Sequence, residues 1–386
     1  MKILFFVSSL NAGGAERVAV TLANAWGRRG DQVCLVPAYS KGSGNSFYEL
    51  DSRVELVWLS HRMRRSYLPG PLAKIRAMRA LVQEKQPDLI VSFLTNVNVT
   101  VLLALQHSGV PIVVSERTNP MFSDSAGRVL KALRKRLYPR AKVVTLQTQS
   151  SVPAFQAMVP GLPAVAVVPN PLPPELLELS RDVKVSENRH CTLIAMGRMV
   201  QSKRFDVLIR VFASLATQHP EWKLCIWGDG PLRASLQAQI MRLGMQEKIS
   251  LPGRTATPWQ ELGRAHAFAM TSEVEGFPNV LLEAMAMGLP CVTVDCPSGP
   301  REMSLNGHAA RLVPLGDEPA LRQALNEVMS EGVLRGALGS RAAQSVRERY
   351  VLAQVLQAWD HVFDIALGNA QQGAAPCQSS KKHQCE

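Results

Sequence analysis

The chain has 386 residues, 46% hydrophobic and 19% charged, and carries a formal net charge of +12. That length is too great for one ordinary domain and suits two, each with its own core. The composition is that of a soluble globular protein, and the absence of any run of about 18 uninterrupted apolar residues excludes a spanning helix.

Residues 2–9, KILFFVSS, are predicted as a buried first strand. They resemble the core of a short signal sequence, but Asn11, Ala12, Gly13 and Gly14 follow where a signal peptide would still be apolar. A helix comes next, with Val18, Leu22 and Trp26 on its apolar face, and then a second strand, QVCLVPA. Strand, glycine turn, helix and strand open a parallel doubly wound sheet. Gly13 and Gly14 allow a ligand to approach the backbone at a helix N-terminus, where unpaired N–H groups favour anions. Their spacing is not the G-x-G-x-x-G of a dinucleotide fold, which argues against a nicotinamide enzyme.

The alternation continues through strands VELVWLS, PDLIVSFL, VPIVVSER and AKVVTLQT, with a helix in the basic stretch from His61 to Lys85. Between the last two strands, residues 127–142 contain seven Lys and Arg and no acid around Val129, Leu130, Leu133 and Leu137. This segment reads either as an ordinary core-packed helix with a solvated face or as an amphipathic helix near an anionic membrane. In the second reading Arg128, Lys131, Arg134, Lys135 and Arg136 face the lipid. Residues 1–170 hold 21 Lys and Arg against 9 Asp and Glu, whereas the remainder is balanced at 22 against 22. A basic excess confined to one part points to an anionic partner. Nucleic acid is not expected, because the helix has only Tyr138 for stacking and no nucleic-acid module is evident.

VPNPLPP, residues 168–174, reads as a proline-rich linker. A second alternating unit starts with CTLIAMGR, in which a strand runs into Gly197 and Arg198, a short loop, Lys203 and a helix. Arg198 and Lys203 are placed to converge on one diphosphate beside a helix N-terminus. KLCIWGDG, ISLPGRT, AFAMTS, CVTVDC and ARLVP are further strands, and the chain then becomes helical. The central stretch is Thr271 to Met287, TSEVEGFPNVLLEAMAM. Its periodicity puts Glu275 on a tight loop and Glu283 about one turn into a helix, beside the unpaired donors of that helix start. Taken alone, two such glutamates also suit a solvated helix start. Carboxylates next to amide donors suit a ligand that combines vicinal hydroxyls with negative charge.

The pattern E-G-F-x-x-x-x-x-E-A-M-A, followed by Gly288, Pro290 and the run Ser298 to Glu302, resembles the donor-binding core of the family 4 retaining glycosyltransferases. The resemblance implies the α/β GT-B fold, two doubly wound parallel-sheet domains facing across a cleft. It places an acceptor-side domain at 1–170, a nucleotide-sugar-binding domain at 171–350 and a helix crossing back at 351–368, and the composition of 369–386 reads as a disordered tail. It implies that Arg198 and Lys203 hold the donor diphosphate, that Glu275 contacts the donor sugar and that Glu283 binds the ribose hydroxyls. Gly13, Gly14, Gly276, Phe277, Pro278 and Asn279 then line the donor site, with the backbone N–H groups of all but the proline as supporting donors. GGAER, SFYEL at 46–50 and SERTNP at 115–120 are similar to bacterial transferases that add hexosamines to lipid-linked oligosaccharides or lipopolysaccharide. A UDP-hexosamine donor and a lipid-linked glycan acceptor are therefore expected.

Many relatives carry a first-domain histidine near the donor sugar, where this chain has Ser115, Glu116 and Arg117; Glu116 or Arg117 is the candidate for that place. No Asp-x-Asp occurs in the chain, so neither a metal nor another cofactor is expected. Seven cysteines without a paired framework, with Cys291 and Cys296 lacking a second metal-spaced pair, fit a reducing compartment. The expected location is the cytoplasm, on the inner face of the cytoplasmic membrane. Two other classes share parts of the pattern: a sugar-nucleotide 2-epimerase of GT-B architecture and a non-catalytic sugar-nucleotide-binding protein. The first needs acid and base groups at the sugar's second carbon, and the second has no need of the intact set Arg198, Lys203, Glu275 and Glu283.

Overall fold

The computed structural model describes residues 1–40, 46–63, 68–117, 127–179 and 190–369. Within them are two all-parallel sheets. The first has seven strands, β1 (Lys2–Val7), β2 (Gln32–Pro37), β3 (Val54–Leu56), β4 (Leu89–Phe93), β5 (Ile112–Ser115), β6 (Val143–Leu146) and β7 (Ala164–Val167), in the order β3-β2-β1-β4-β5-β6-β7. The second has six, β8 (Cys191–Met196), β9 (Trp222–Trp227), β10 (Ile249–Gly253), β11 (Ala267–Met270), β12 (Cys291–Val294) and β13 (Arg311–Val313), in the order β10-β9-β8-β11-β12-β13. Strand order reverses at β1/β4 and at β8/β11. In open parallel sheets ligands bind outside the carboxyl ends of the strands at such reversals.

Both sheets are buried on both faces, as parallel strands linked by crossover helices must be. Phe6 and Leu4 point to one core of the first sheet, and Ile3, Phe5 and Val7 to the other. The second sheet divides likewise, with Leu193 and Ala195 on one side and Ile194 on the other. The expected elements are present with shifts at their ends, the largest at VELVWLS, where the strand is only Val54–Leu56 and Leu59–Met63 is helical. Two elements that the sequence reading did not name are β7, bracketed by Pro163 and Pro169, and the helix Thr95–Leu105, which is followed by Ser108 and Gly109.

After the helix Gly332–Arg349 the chain turns at Tyr350 and enters the helix Leu352–Leu367, which returns to the first sheet. Its buried residues Val355, Trp359, Val362, Phe363 and Ala366 recur at helical spacing and complete the core around Phe5, Trp26 and Phe93. Trp359 lies edge-on to Trp26 at 5.6 Å and stacks on Phe93 at 6.0 Å. The linker is held in place, since Leu172 donates its N–H to Tyr350 O at 2.7 Å and its side chain is fully buried in the second domain. Among the described residues no helix is long and apolar enough to cross a membrane. The expected tail beyond Asn369, and Thr118 to Pro120 of the SERTNP stretch, lie outside the described residues.

The basic helix is Arg128–Leu137, and it corrects part of the sequence reading. Arg134 is not on the solvent face: only 1% of it is exposed, and it packs over Phe155 and donates to Met158 Sδ. Leu130, Arg134 and Leu137 share one helical stripe, and that stripe is the one turned inward. Val129, assigned to the apolar face, is 74% exposed. Arg128, Lys131, Lys135 and Arg136 remain on the outside.

Candidate active site

The carboxyl ends of β1, β4 and β5 in one domain face those of β8 and β11 in the other. The helix Gly14–Arg28 begins directly after Gly13, and among the described residues its first N–H groups have no side-chain cap. The walls approach closely at Gly14, where a Cβ would lie 2.7 Å from Asn279 Nδ2 of the opposite domain.

In the second domain, β8 ends at Gly197 and Arg198, followed by the tight turn Gln201–Lys203. Gly228, at φ +136°, packs flush on this loop, and a Cβ there would sit 1.9 Å from Gly197 O. Arg198 is exposed, and among the described residues its guanidinium makes no ion pair. Lys203 O accepts from Thr271 Oγ1 at 2.9 Å, which ties the turn to the end of β11. Lys203 Nζ meets Glu275 Oε1 at 2.5 Å. Glu275 O accepts from Ser298 Oγ at 2.8 Å. Ser298 and Gly299 both have positive φ, and a Cβ on Gly299 would strike Pro278 at 2.5 Å, so this turn presses the Gly276–Pro278 loop into place.

The helix Asn279–Ala286 follows. Phe277 is buried against Tyr350, and Leu281, Leu282, Ala284 and Met285 fill the core beneath, as their spacing predicts. Among the described residues the N–H groups of Gly276, Phe277, Asn279 and Val280 have no acceptor. Glu283 falls one turn in and is 2% exposed. Its carboxylate pairs with Arg17 from the first domain and accepts from Trp259 Nε1 at 3.1 Å. Burial pulls the Arg17 guanidinium below its ordinary range. Arg17 and Trp259 escaped the sequence reading. Arg17 lies in the first turn of the helix that Gly13 and Gly14 open, and that position was the available signal.

Glu116 and Arg117 sit at the end of β5, and neither is open to the cleft. Glu116 is 1% exposed and accepts from Thr95 Oγ1 at 2.7 Å and from the Tyr138 hydroxyl. Burial raises its carboxyl above the usual range, a shift that the Tyr138 hydrogen bond and the Arg134 charge oppose. Arg117 lies 3.7 Å from the Phe93 ring centroid and 5.7 Å from that of Trp359. Its Nη1 donates to Asn170 Oδ1 at 2.7 Å. Burial, with no carboxylate facing it among the described residues, pushes its guanidinium down to about 9, still cationic at neutral pH.

Two doubly wound domains, free amides at two opposed helix starts and a cationic turn beside a glutamate define a GT-B glycosyltransferase site. Comparison with known proteins agrees along most of the chain. Residues 13–171 match the glycosyl transferase 4-like domain, and residues 178–345 match glycosyl transferases group 1. The chain belongs to this family of glycosyltransferases and carries out glycosyl transfer.

It is 26% identical to the Campylobacter jejuni GalNAc-alpha-(1->4)-GalNAc-alpha-(1->3)-diNAcBac-PP-undecaprenol alpha-1,4-N-acetyl-D-galactosaminyltransferase, over 93% of this chain and 97% of that one. A second C. jejuni enzyme, the N-acetylgalactosamine-N,N'-diacetylbacillosaminyl-diphospho-undecaprenol 4-alpha-N-acetylgalactosaminyltransferase, is 27% identical over 88% of this chain and 93% of that one. Staphylococcus aureus TarM, solved with fondaparinux, alpha-GlcNAc-glycerol and UDP, shares the fold. Its TM-score is 0.78 at 13% identity, with 94% of this chain and 99% of that chain covered.

Proposed function

We propose that the enzyme moves a hexosamine, GalNAc or GlcNAc, from a UDP-sugar to a lipid-linked glycan or lipopolysaccharide acceptor, with retention of configuration and without a metal. The observation that carries this reading is the Lys203–Glu275 pair beside the free amides of residues 276–280. Departure of a diphosphate from an anomeric carbon leaves negative charge on the phosphate and an oxocarbenium-like sugar. Lys203 and Arg198 stabilise the first, together with amides that are already oriented and need no reorganisation. Exchange of Lys203 from Glu275 to the phosphate frees that carboxylate for the sugar hydroxyls. Glu283 accepts from the ribose hydroxyls, sharing its charge with Arg17.

Retention through double displacement requires a free carboxylate nucleophile at the anomeric carbon. Glu275, once released by Lys203, is taken up by the sugar hydroxyls, and Glu116 is enclosed by Thr95 and Tyr138. This supports departure and attack on the same face of the sugar. Metal independence is supported by two cationic side chains at the place where a metal would otherwise bridge the phosphates. The two C. jejuni relatives, named for undecaprenol-linked substrates, support the acceptor class, and the UDP bound to TarM supports the donor class. Arg128, Lys131, Lys135 and Arg136 hold the enzyme at an anionic inner leaflet, next to acceptors whose lipid stays in the bilayer.

A panel of nucleotide sugars, incubated with a lipid-linked acceptor extract and read by mass spectrometry, tests the reading. Transfer from a UDP-hexosamine in the presence of EDTA is expected. Strict dependence on added Mg or Mn, or transfer confined to non-UDP donors, would overturn it.

A further inference from the structure

A chain of side-chain amides runs from the buried Arg117 to the floor of the cleft. Arg117 Nη1 donates to Asn170 Oδ1 at 2.7 Å, and Gln147 Nε2 donates to the same oxygen at 2.8 Å. Asn170 Nδ2 in turn donates to Asn279 Oδ1 at 2.7 Å. Asn279 Nδ2 then points at Gly14, and among the described residues it has no acceptor. Carboxamides can be turned end for end with little change of shape, so their direction is set by their partners. Arginine has five donors and no acceptor, and Arg117 is held fast between Phe93, Trp359 and the linker. It therefore fixes which end of Asn170 faces it, and Asn170 fixes which end of Asn279 faces away.

We propose that Arg117 is a positioning residue for donor binding: through Asn170 it sets the direction of the Asn279 carboxamide, so that an N–H donor rather than an oxygen is presented to the diphosphate at the start of the Asn279–Ala286 helix. Direction matters for this ligand group in particular. Phosphate oxygens only accept, so a reversed carboxamide would replace an attraction by a repulsion, whereas a sugar hydroxyl tolerates either end. The relay also joins the domains, because Arg117 and Asn279 belong to opposite walls and Asn170 lies in the segment between them. This inference rests on the UDP-sugar reading of the same site.

The test separates direction from stability. Asn170→Asp gives the buried Arg117 a carboxylate, which compensates a cation that is already desolvated. It also places an oxygen opposite Asn279, whose carboxamide must then turn its N–H inward and its oxygen toward the diphosphate. UDP affinity is measured by calorimetry, and stability by thermal melting. The expected result is binding about tenfold weaker than wild type, the scale of one lost hydrogen bond to a charged group, with a melting temperature equal to or above wild type. Wild-type affinity in Asn170→Asp would overturn the proposal. If that variant melts low, Asn279→Asp provides the second reading, because it changes the outward-facing group without touching Arg117; undiminished UDP binding there overturns the proposal equally. Failure of the wild-type enzyme to bind UDP would instead remove the donor reading on which the proposal rests.

Discussion

The ionisable groups at the strand ends behave oppositely in the two domains. In the second domain they stay partly accessible and pair at the cleft, with Lys203 at 23% and Glu275 at 12% side-chain exposure. In the first, Glu116 and Arg117 occupy the equivalent carboxyl end of a strand but turn inward, one into a hydroxyl cage and the other into an aromatic stack. A charge at the water boundary can exchange its partner for a ligand at small cost, whereas a buried one is tied to its surroundings by desolvation. On the proposed reading, the second domain supplies the groups that meet the donor, and the first supplies groups that fix their geometry.

Replacing Lys203 by Ala attacks the exchangeable side of this contrast, and turnover should fall by about a hundredfold or more, the scale of losing one preorganised donor. Steady-state kinetics on a variant with wild-type circular dichroism checks it, and near-normal turnover would exclude Lys203 from the leaving-group site. The outward charges of the basic helix come next. Changing Lys135 and Arg136 together to Gln should weaken sedimentation with anionic liposomes roughly thirtyfold, at about 1 kcal/mol for each cation, and binding should fall as salt rises. Equal binding to neutral vesicles would return this helix to a core helix with a solvated side.

Glu283→Gln should raise the donor KM by about tenfold while kcat stays within about threefold, because the ribose is held alike in ground and transition states. A loss confined to kcat would contradict a ribose role. Glu116→Gln should act least, and on stability alone. Since burial raises the folded carboxyl's pKa, its favourable contribution is complete below the unfolded value of about 4.5 and is lost as pH rises through the folded one. Wild type should therefore lose stability relative to Glu116→Gln from about pH 4.5 upward in melting curves. A constant difference across pH 4 to 8 would show that Glu116 does not titrate as its burial demands.

Most of the second domain was legible because its signals are local. Cys191–Met196 ends at Gly197, Ala267–Met270 runs into the glutamate loop, and Asn279–Ala286 follows a proline, so hydrophobic runs and breakers mark each boundary. Partners of the cleft residues were not legible. The Arg17–Glu283 pair and the Asn170–Asn279 bond join residues far apart in sequence, and neither leaves a periodic trace. Arg134 is a different case: it shares the stripe of Leu130 and Leu137, so the helical wheel held the answer, and reading the basic run as one surface hid it.

Trp359 and Phe363 of the returning helix set an order on biosynthesis. The ribosome releases the first domain's strands long before these side chains exist, so one face around Phe5, Trp26 and Phe93 stays uncovered until the helix Leu352–Leu367 has been made. Domains generally fold as units in order of synthesis, and apolar surface left open meanwhile is prone to association. Here the domain whose strands are made first is sealed only after the second domain has been made, which leaves that apolar face open in the nascent chain. A stop codon just before Leu352 would leave that state permanent.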